Sequence, residues 1–492
     1  MRLGWVRPSP AAAAPCGVGG NPAARTGIGA SGPLFVANLL EAILPFLRNI
    51  TLAHLIAPTE FGLAISLSVV IGIVEVLTDF GLPVFAVRKT TALPPERVMG
   101  TLQSLALVRG AVIGLLLLAI SPLVAGLFGA ERAFGVYALL GIVVFLRGFE
   151  NFGVKEMMRQ YVFWREAVVL IAAQTAGLLV TVVSAWLHGG FACMLYGMLA
   201  TTVTTVALSH MLSPQPYRLV WDAEAAREMS HFGRPLLVNG FAVSFTLADR
   251  LLVGSVLGPV LLAVYNVAYG TATLPRTVLA KFLTSAFMPL FVEQQERNRG
   301  SDLFDTWAWI LSCIAFLYGL GLSLVGDQVL ALVFGPAYQP SRLFMCLAGI
   351  SVCVKFLMLL PAPQAYASGN TRLIAFGSIL SALAVIPGAA LLFWLRDMNA
   401  FLLGIAAAEF VGLIVYGRRA MREQAFTRTA TWLVIMVPMS LLAALAILIG
   451  LLPQMTFVTW FAACAVALGL SAVAYGAIVV RYRIGLRMLF ST

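Results

Sequence analysis

RNITLAHLIAPTEFGLAISLSVVIGIVEVLTDFGLP, residues 48–83, holds two apolar runs that meet at Pro58. With its flanks each run has about 20 residues, the length at which a helix crosses a hydrocarbon core of roughly 30 Å. Such runs recur from Pro33 almost to the C-terminus of the 492-residue chain. Composition agrees: 60% of residues are hydrophobic and 11% charged, where soluble domains carry about 25% charged residues. These features predict an all-α integral membrane protein with little chain left for a soluble domain.

Bounding the apolar runs by Pro, Gly and charge places helices near 34–57, 60–86, 101–128, 134–149, 167–187 and 189–212. A second group falls near 235–257, 259–291, 305–326, 340–362, 371–395 and 399–417, and a last pair near 431–452 and 456–480. The total is about fourteen transmembrane helices. Bases test the count, because Lys and Arg stay on the cytoplasmic side of short loops. With the N-terminus inside, 23 bases fall on inner segments, and only Arg132, Arg342 and Arg396 fall on outer ones. Both termini are thus expected to be cytoplasmic. The net charge of +11 follows from those inner segments and does not call for nucleic acid.

Two features recur at one offset, the mark of an internal repeat. Pro58 and Pro259 each end an apolar helix, 201 residues apart, and the turns at Gly129 and Gly335 are separated by 206. Two six-helix pseudo-repeats are therefore expected to form lobes at 31–213 and 214–428 around a central cavity. Residues 429–492 add two helices and a basic cytoplasmic tail. Residues 1–30, rich in Ala, Gly and Pro without the apolar core of a signal peptide, are expected to be a disordered cytoplasmic arm.

Subtracting loop charges leaves Arg48, Arg109, Arg250, Arg276, Lys281 and Lys355 as bases inside apolar runs, with Glu41, Glu75, Asp79, Asp249 and Glu409 as acids. Asp249 and Arg250 interrupt SFTLADRLLVGSVLGPV, residues 244–260. Two charges near a helix centre cost about 5–7 kcal/mol, and the dozen or so Leu, Val and Phe residues of that run return about 4–7 kcal/mol. Protein neighbours or water must therefore hold this helix in place. Adjacent residues on a helix point about 100° apart, so Asp249 and Arg250 are expected to find separate partners. Glu75 and Asp79 share a face and repel unless a base or a proton intervenes. Each charge either fixes helix packing or lines a cavity. Arg48, Asp249, Arg250 and Arg276 are assigned to the cavity; Arg109, Lys355, Glu41 and Glu409 read as isolated, structural or snorkelling. A cleft with more bases than acids suits an anion such as a phosphate. His54 has either a proton-relay or a hydrogen-bonded structural role. The cysteines show no CxxC pair, and no metal-ligand cluster or catalytic constellation stands out.

Residues 48–83, with their Pro-x-x-Phe-Gly turn and Asp-Phe-Gly-Leu ending, MMRQYVFWRE (157–166), FGRPLLVNGFAVSFTLADRLLVGSVLGPVLLAVYNVAYGTATLP (232–275) and GNTRL (369–373) together carry a likeness. From residue 34 to 417 the chain resembles the polysaccharide or oligosaccharide-lipid flippases of the multidrug/oligosaccharidyl-lipid/polysaccharide exporter superfamily. The resemblance implies a bilobed bundle in a bacterial inner membrane that alternates between inward and outward openings. Its cargo would be a polyprenyl-pyrophosphate-linked oligosaccharide for a surface polymer such as O-antigen or exopolysaccharide. Arg48, Arg250, Arg276 and Lys281 are the expected anchors for pyrophosphate or acidic sugar. Asp249, Glu75 and Asp79 would orient those bases or bind a coupling H+ or Na+. No other cofactor and no catalytic residue is expected. Expected partners are the lipid-linked substrate, membrane lipids, and polymerase and export machinery. Two other readings are a cation-coupled multidrug exporter, whose cavity should be acidic, and a membrane-embedded polymerase or glycosyltransferase, which needs positioned acid/base groups and a sizeable domain outside the hydrocarbon.

Overall fold

The computed structural model describes residues 32–87, 94–160, 162–282, 300–362, 365 and 371–424. The arm at 1–30, the last helix pair, Arg88, Lys89, Arg297, Arg299 and the Lys281 side chain lie outside the described residues. What is described is helical: α1 (Gly32–Leu55), α2 (Pro58–Leu77), α3 (Leu82–Val87), α4 (Pro95–Leu127), α5 (Phe134–Arg147), α6 (Gly153–Met158), α7 (Trp164–His188) and α8 (Ala192–Leu212) come first. They are followed by α9 (Ala223–Phe245), α10 (Ala248–Leu257), α11 (Pro259–Phe282), α12 (Gly300–Phe334), α13 (Arg342–Leu357), α14 (Thr371–Leu383), α15 (Val385–Leu395) and α16 (Met398–Gln424).

Local chemistry sets the helix ends. Pro58 and Pro259 are the first residues of α2 and α11, where a missing N–H costs nothing and a fixed φ helps. Gly129 and Gly335 follow α4 and α12 with φ of 67° and 100°, a conformation that a side chain would strain. Asp222 caps α9 by accepting from the amides of Glu224 and Ala225, and Ser341 caps α13 by accepting from Phe344. Three expected helices are interrupted. The run 60–86 breaks at 78–81, where Asp79 accepts from the Gly81 amide at 2.8 Å and Gly81 takes φ 66°. The run 235–257 tightens at Thr246 and Leu247, whose amides bond three residues back. The run 371–395 breaks at Ala384.

Seven of the described helical spans are long and apolar enough to cross a membrane. Leu115, Leu123, Leu187, Leu332 and Val411 are exposed, as lipid-facing side chains should be. On α7 the exposed Trp164 and Trp186 stand 22 residues apart. At 1.5 Å per residue that is about 33 Å, so the two indoles suit the two interfaces of one hydrocarbon layer. The chain is a multi-pass membrane protein. Helix pairs approach through small residues, as lipid-embedded helices do: Gly114 against Gly141 between α4 and α5, and Gly177 and Gly197 against Thr201 and Thr181 between α7 and α8.

Helices α1 to α8 pack mainly among themselves, as do α12 to α16, and α2 lies along α9, α10 and α11. At the end where the loops carry Arg132, Arg342 and Arg396, hereafter the base-poor end, Gly62 touches the backbone of Pro259. Phe61 meets Tyr338 edge-on, with centroids 5.5 Å apart. The His54 ring shares a hydrogen bond with the Val333 carbonyl at 2.9 Å. At the base-rich end, where Arg97, Arg147, Lys155 and Arg218 cluster, Gly233 packs on Phe80 and Phe85 on Phe232.

Candidate functional site

In the second half, α10 and α11 run side by side, so neighbours on one meet neighbours on the other. The Asp249 carboxylate accepts the Arg250 amide at 2.6 Å and the Tyr265 hydroxyl at 2.9 Å. Arg250 Nε donates to Asn266 Oδ1 at 2.8 Å, and a second guanidinium nitrogen lies 3.6 Å from Asp249 Oδ1. The expected separate partners exist, but the adjacent acid and base also pair with each other. The first-turn position of Asp249 lets its carboxylate fold back along the chain.

One turn further along α11, Lys355 Nζ lies 3.2 Å from Glu409 Oε1 and 4.8 Å from the centre of the Tyr269 ring. Ser351 donates to Glu409 Oε2 at 2.5 Å, and the Tyr269 hydroxyl meets Ser351 Oγ at 2.7 Å. Lys355 and Glu409 are thus not isolated charges; α13 and α16 present them to each other. Arg276 Nε donates to the Lys355 carbonyl at 3.4 Å and has no carboxylate within 4.0 Å among the described residues. In both ion pairs the acid is the more deeply buried member: Asp249 is 6% exposed against 19% for Arg250, and Glu409 2% against 20% for Lys355. The cluster holds three bases and two acids.

In the first half Glu75, Asp79, Arg109, Arg147, Glu150 and Lys155 line a cavity of about 280 Å³ at the base-rich end. Glu75 pairs with Arg147. Arg109 is not isolated either: it donates to Thr78 Oγ1 at 3.0 Å and to the Glu75 carbonyl at 3.3 Å, closing the end of α2. Glu41, also read as isolated, has a partner and lies near Arg147. Bases therefore intervene between Glu75 and Asp79, as their spacing requires. Beside them Lys155 bridges Glu150 at 3.0 Å and Glu166 at 2.8 Å. Burial opposes the Lys155 charge, but the two carboxylates outweigh it and raise its pKa. Burial likewise opposes ionisation of Glu150, yet Lys155 and Arg147 hold its carboxyl below the ordinary range.

The structure brings Asp249, Arg250 and Arg276 into one cluster, and Glu75 and Asp79 into another. Arg48 stands apart from both: it lies near Cys193 of α8, and its buried Nε has no hydrogen-bond partner among the described residues.

Comparison with known proteins gives this fold and its buried charge a family. The model of the polysaccharide biosynthesis protein family matches residues 51–343. The chain belongs to that family. An uncharacterized membrane protein in the cps region of Klebsiella pneumoniae is 20% identical over 325 residues, 64% of this chain and 66% of that one. A teichuronic acid biosynthesis protein of Bacillus subtilis is 23% identical over 279 residues, 53% and 54% of the two chains. A lipopolysaccharide biosynthesis protein of Escherichia coli is 23% identical over 324 residues, 64% and 65%. The matched chain spans between about half and two thirds of these relatives. Among solved structures, the lipid II flippase MurJ in an inward closed conformation aligns with TM-score 0.64 over 92% of this chain and 99% of that one, at 10% identity. An inward-facing multidrug resistance transporter of the MATE family and MOP superfamily gives 0.58 over 79% and 96%, at 14% identity. The fold is thus shared with these two membrane transporters.

In this polysaccharide biosynthesis protein the residues that sequence reasoning passed over are Tyr265, Asn266, Tyr269 and Ser351. The signal for the first three was present in YNVAYG (265–270), where Tyr265 and Tyr269 stand at i and i+4 within an apolar helix with Asn266 beside them; Ser351, a lone hydroxyl in an apolar run, carried none.

Proposed function

We propose that the protein is a flippase. It carries a polyprenyl-pyrophosphate-linked oligosaccharide from the cytoplasmic to the outer leaflet of a bacterial inner membrane, with both termini cytoplasmic. Lobes at 31–213 and 214–428 rock about a midplane site. Arg48, Arg250, Arg276 and Lys281 hold the pyrophosphate or acidic sugar. Asp249 orients Arg250, and Glu75 and Asp79, set among Arg109 and Arg147 in the first-half cluster, bind the coupling H+ or Na+. The surface polymer is assembled with polymerase and export machinery.

One observation carries this reading: in the buried second-half cluster the bases outnumber the acids and are the more exposed members of both ion pairs. Such an arrangement attracts anions at a depth where attraction is poorly screened. A cation-coupled drug exporter would need the reverse order. The test is Arg250→Ala in a strain that depends on this protein for its surface polymer. The variant should reach the membrane at normal abundance while lipid-linked oligosaccharide accumulates on the cytoplasmic side. Unchanged surface polymer rules Arg250 out as an anchor.

A further inference from the structure

We infer that Lys355 is a further anion-binding group, beside Arg250 and Arg276 in the second-half cluster, parked on Glu409 while the path is empty and handed to a phosphate that passes between Arg276 and Arg250. This rests on the anionic cargo proposed above and adds a position for it.

Helix α11 serves as a ruler. Arg250 engages Asn266, Lys355 covers the ring of Tyr269, and Arg276 reaches the Lys355 carbonyl from further along. The Arg250 guanidinium reaches Gly270, and at 1.5 Å per residue Gly270 and Arg276 are separated by about 9 Å along the axis. Without Lys355 an anion moving between Arg276 and Arg250 would cross that distance in an apolar bundle with no countercharge, a costly step.

Lys355 can let go. The Arg250 guanidinium is held by a hydrogen bond to Asn266 and by Asp249 at 3.6 Å, the same carboxylate that accepts its backbone amide. The Lys355 ammonium is held by one carboxylate oxygen and one ring face, on a flexible stem with freely turning donors. Glu409 can be left. Its other oxygen keeps the Ser351 hydroxyl, which the Tyr269 hydroxyl supports in turn, so departure of the lysine leaves the carboxylate with one hydrogen bond in place. A fifth of the Lys355 side chain is exposed, while Glu409 is almost wholly covered.

The experiment is calorimetric titration of the full chain in nanodiscs with inorganic pyrophosphate, farnesyl diphosphate and farnesol at fixed ionic strength. Lys355→Met should bind both diphosphates about tenfold more weakly and farnesol unchanged. Glu409→Gln, which frees the lysine, should bind both about tenfold more tightly. Lys355→Met leaves Glu409 charged without its base and can impair folding, so the double variant K355M/E409Q, which removes both charges, decides the matter: it should bind as weakly as K355M. Diphosphate binding by the double variant equal to wild type, or weaker binding by E409Q, overturns the inference. Arg250→Ala in the same titration separates two failures. If only R250A weakens diphosphate binding, Lys355 is structural and the anionic cargo stands. If the wild-type chain binds neither diphosphate, both the inference and the proposed cargo fall.

Discussion

Replacing Gly62 by alanine tests whether the contact of α2 with α11 holds the base-poor end shut. A Cβ at this position would overlap the Cα, carbonyl carbon and oxygen of Pro259. All three are backbone at the start of a helix, so no side chain can rotate away and the two helices must separate. Overpacking of this kind costs about 1–3 kcal/mol. Confined to the state in which the helices touch, that cost shifts the equilibrium about 5- to 150-fold toward a state open at this end. Spin labels at Arg132 and Arg396, exposed in turns of the first and second halves, would report the change as a distance distribution. Gly62→Ala should gain a longer-distance population that is minor or missing in the parent. Gly135→Ala, where a Cβ meets nothing within 4 Å, should not. A G62A distribution that superimposes on the parent's, in equally stable protein, refutes the reasoning.

The remaining predictions concern single polar contacts. Lys155→Met leaves Glu150 and Glu166 facing each other under cover and should lower stability by about 3–5 kcal/mol at neutral pH. The Glu150 carboxyl is held below its ordinary value of 4.5 in the folded protein, so its contribution is present above that value and fades as pH falls through the folded one. Thermal melts should show the parent losing stability below about pH 4.5 and the gap to K155M narrowing there. Tyr265→Phe removes the hydroxyl that donates to Asp249 in a fully buried setting, and should cost about 1–3 kcal/mol, read as a drop in melting temperature. His54→Ala loses one hydrogen bond to Val333. It should lower stability by about 1 kcal/mol and leave polymer export intact; loss of export in stable protein would restore a proton-relay role.

Much of the fold was legible because a bilayer makes periodicity unnecessary. Length of apolar run and position of bases suffice, and the helices between 32 and 424 start and stop close to where Pro, Gly and charge punctuate the chain. The breaks were not legible. Asp79 and Thr246 interrupt helices through side-chain and three-residue backbone bonds, and nothing in the local composition distinguishes them from charges and hydroxyls that helices tolerate. The site was half legible. Sequence shows that a charge is buried and roughly how deep, but not the direction in which it points from its helix axis. Arg109, Lys355 and Glu409 looked solitary because their partners lie on helices that are distant in the chain: Ser351 and Glu409 are 58 residues apart, and Tyr269 and Ser351 are 82 apart. Glu75 and Arg147, 72 apart, needed the same information.

For the anionic cargo proposed above, the deeper burial of the acid in both second-half pairs makes ionic selectivity a matter of order and not of number. Exchanging the members of a pair, as in D249R/R250D or K355E/E409K, keeps every charge in the chain and its total. The exchange turns the face offered to a passing solute from positive to negative. Two relatives with the same inventory of buried charge could therefore carry solutes of opposite sign, and a tally of intramembrane Lys, Arg, Asp and Glu would not tell them apart.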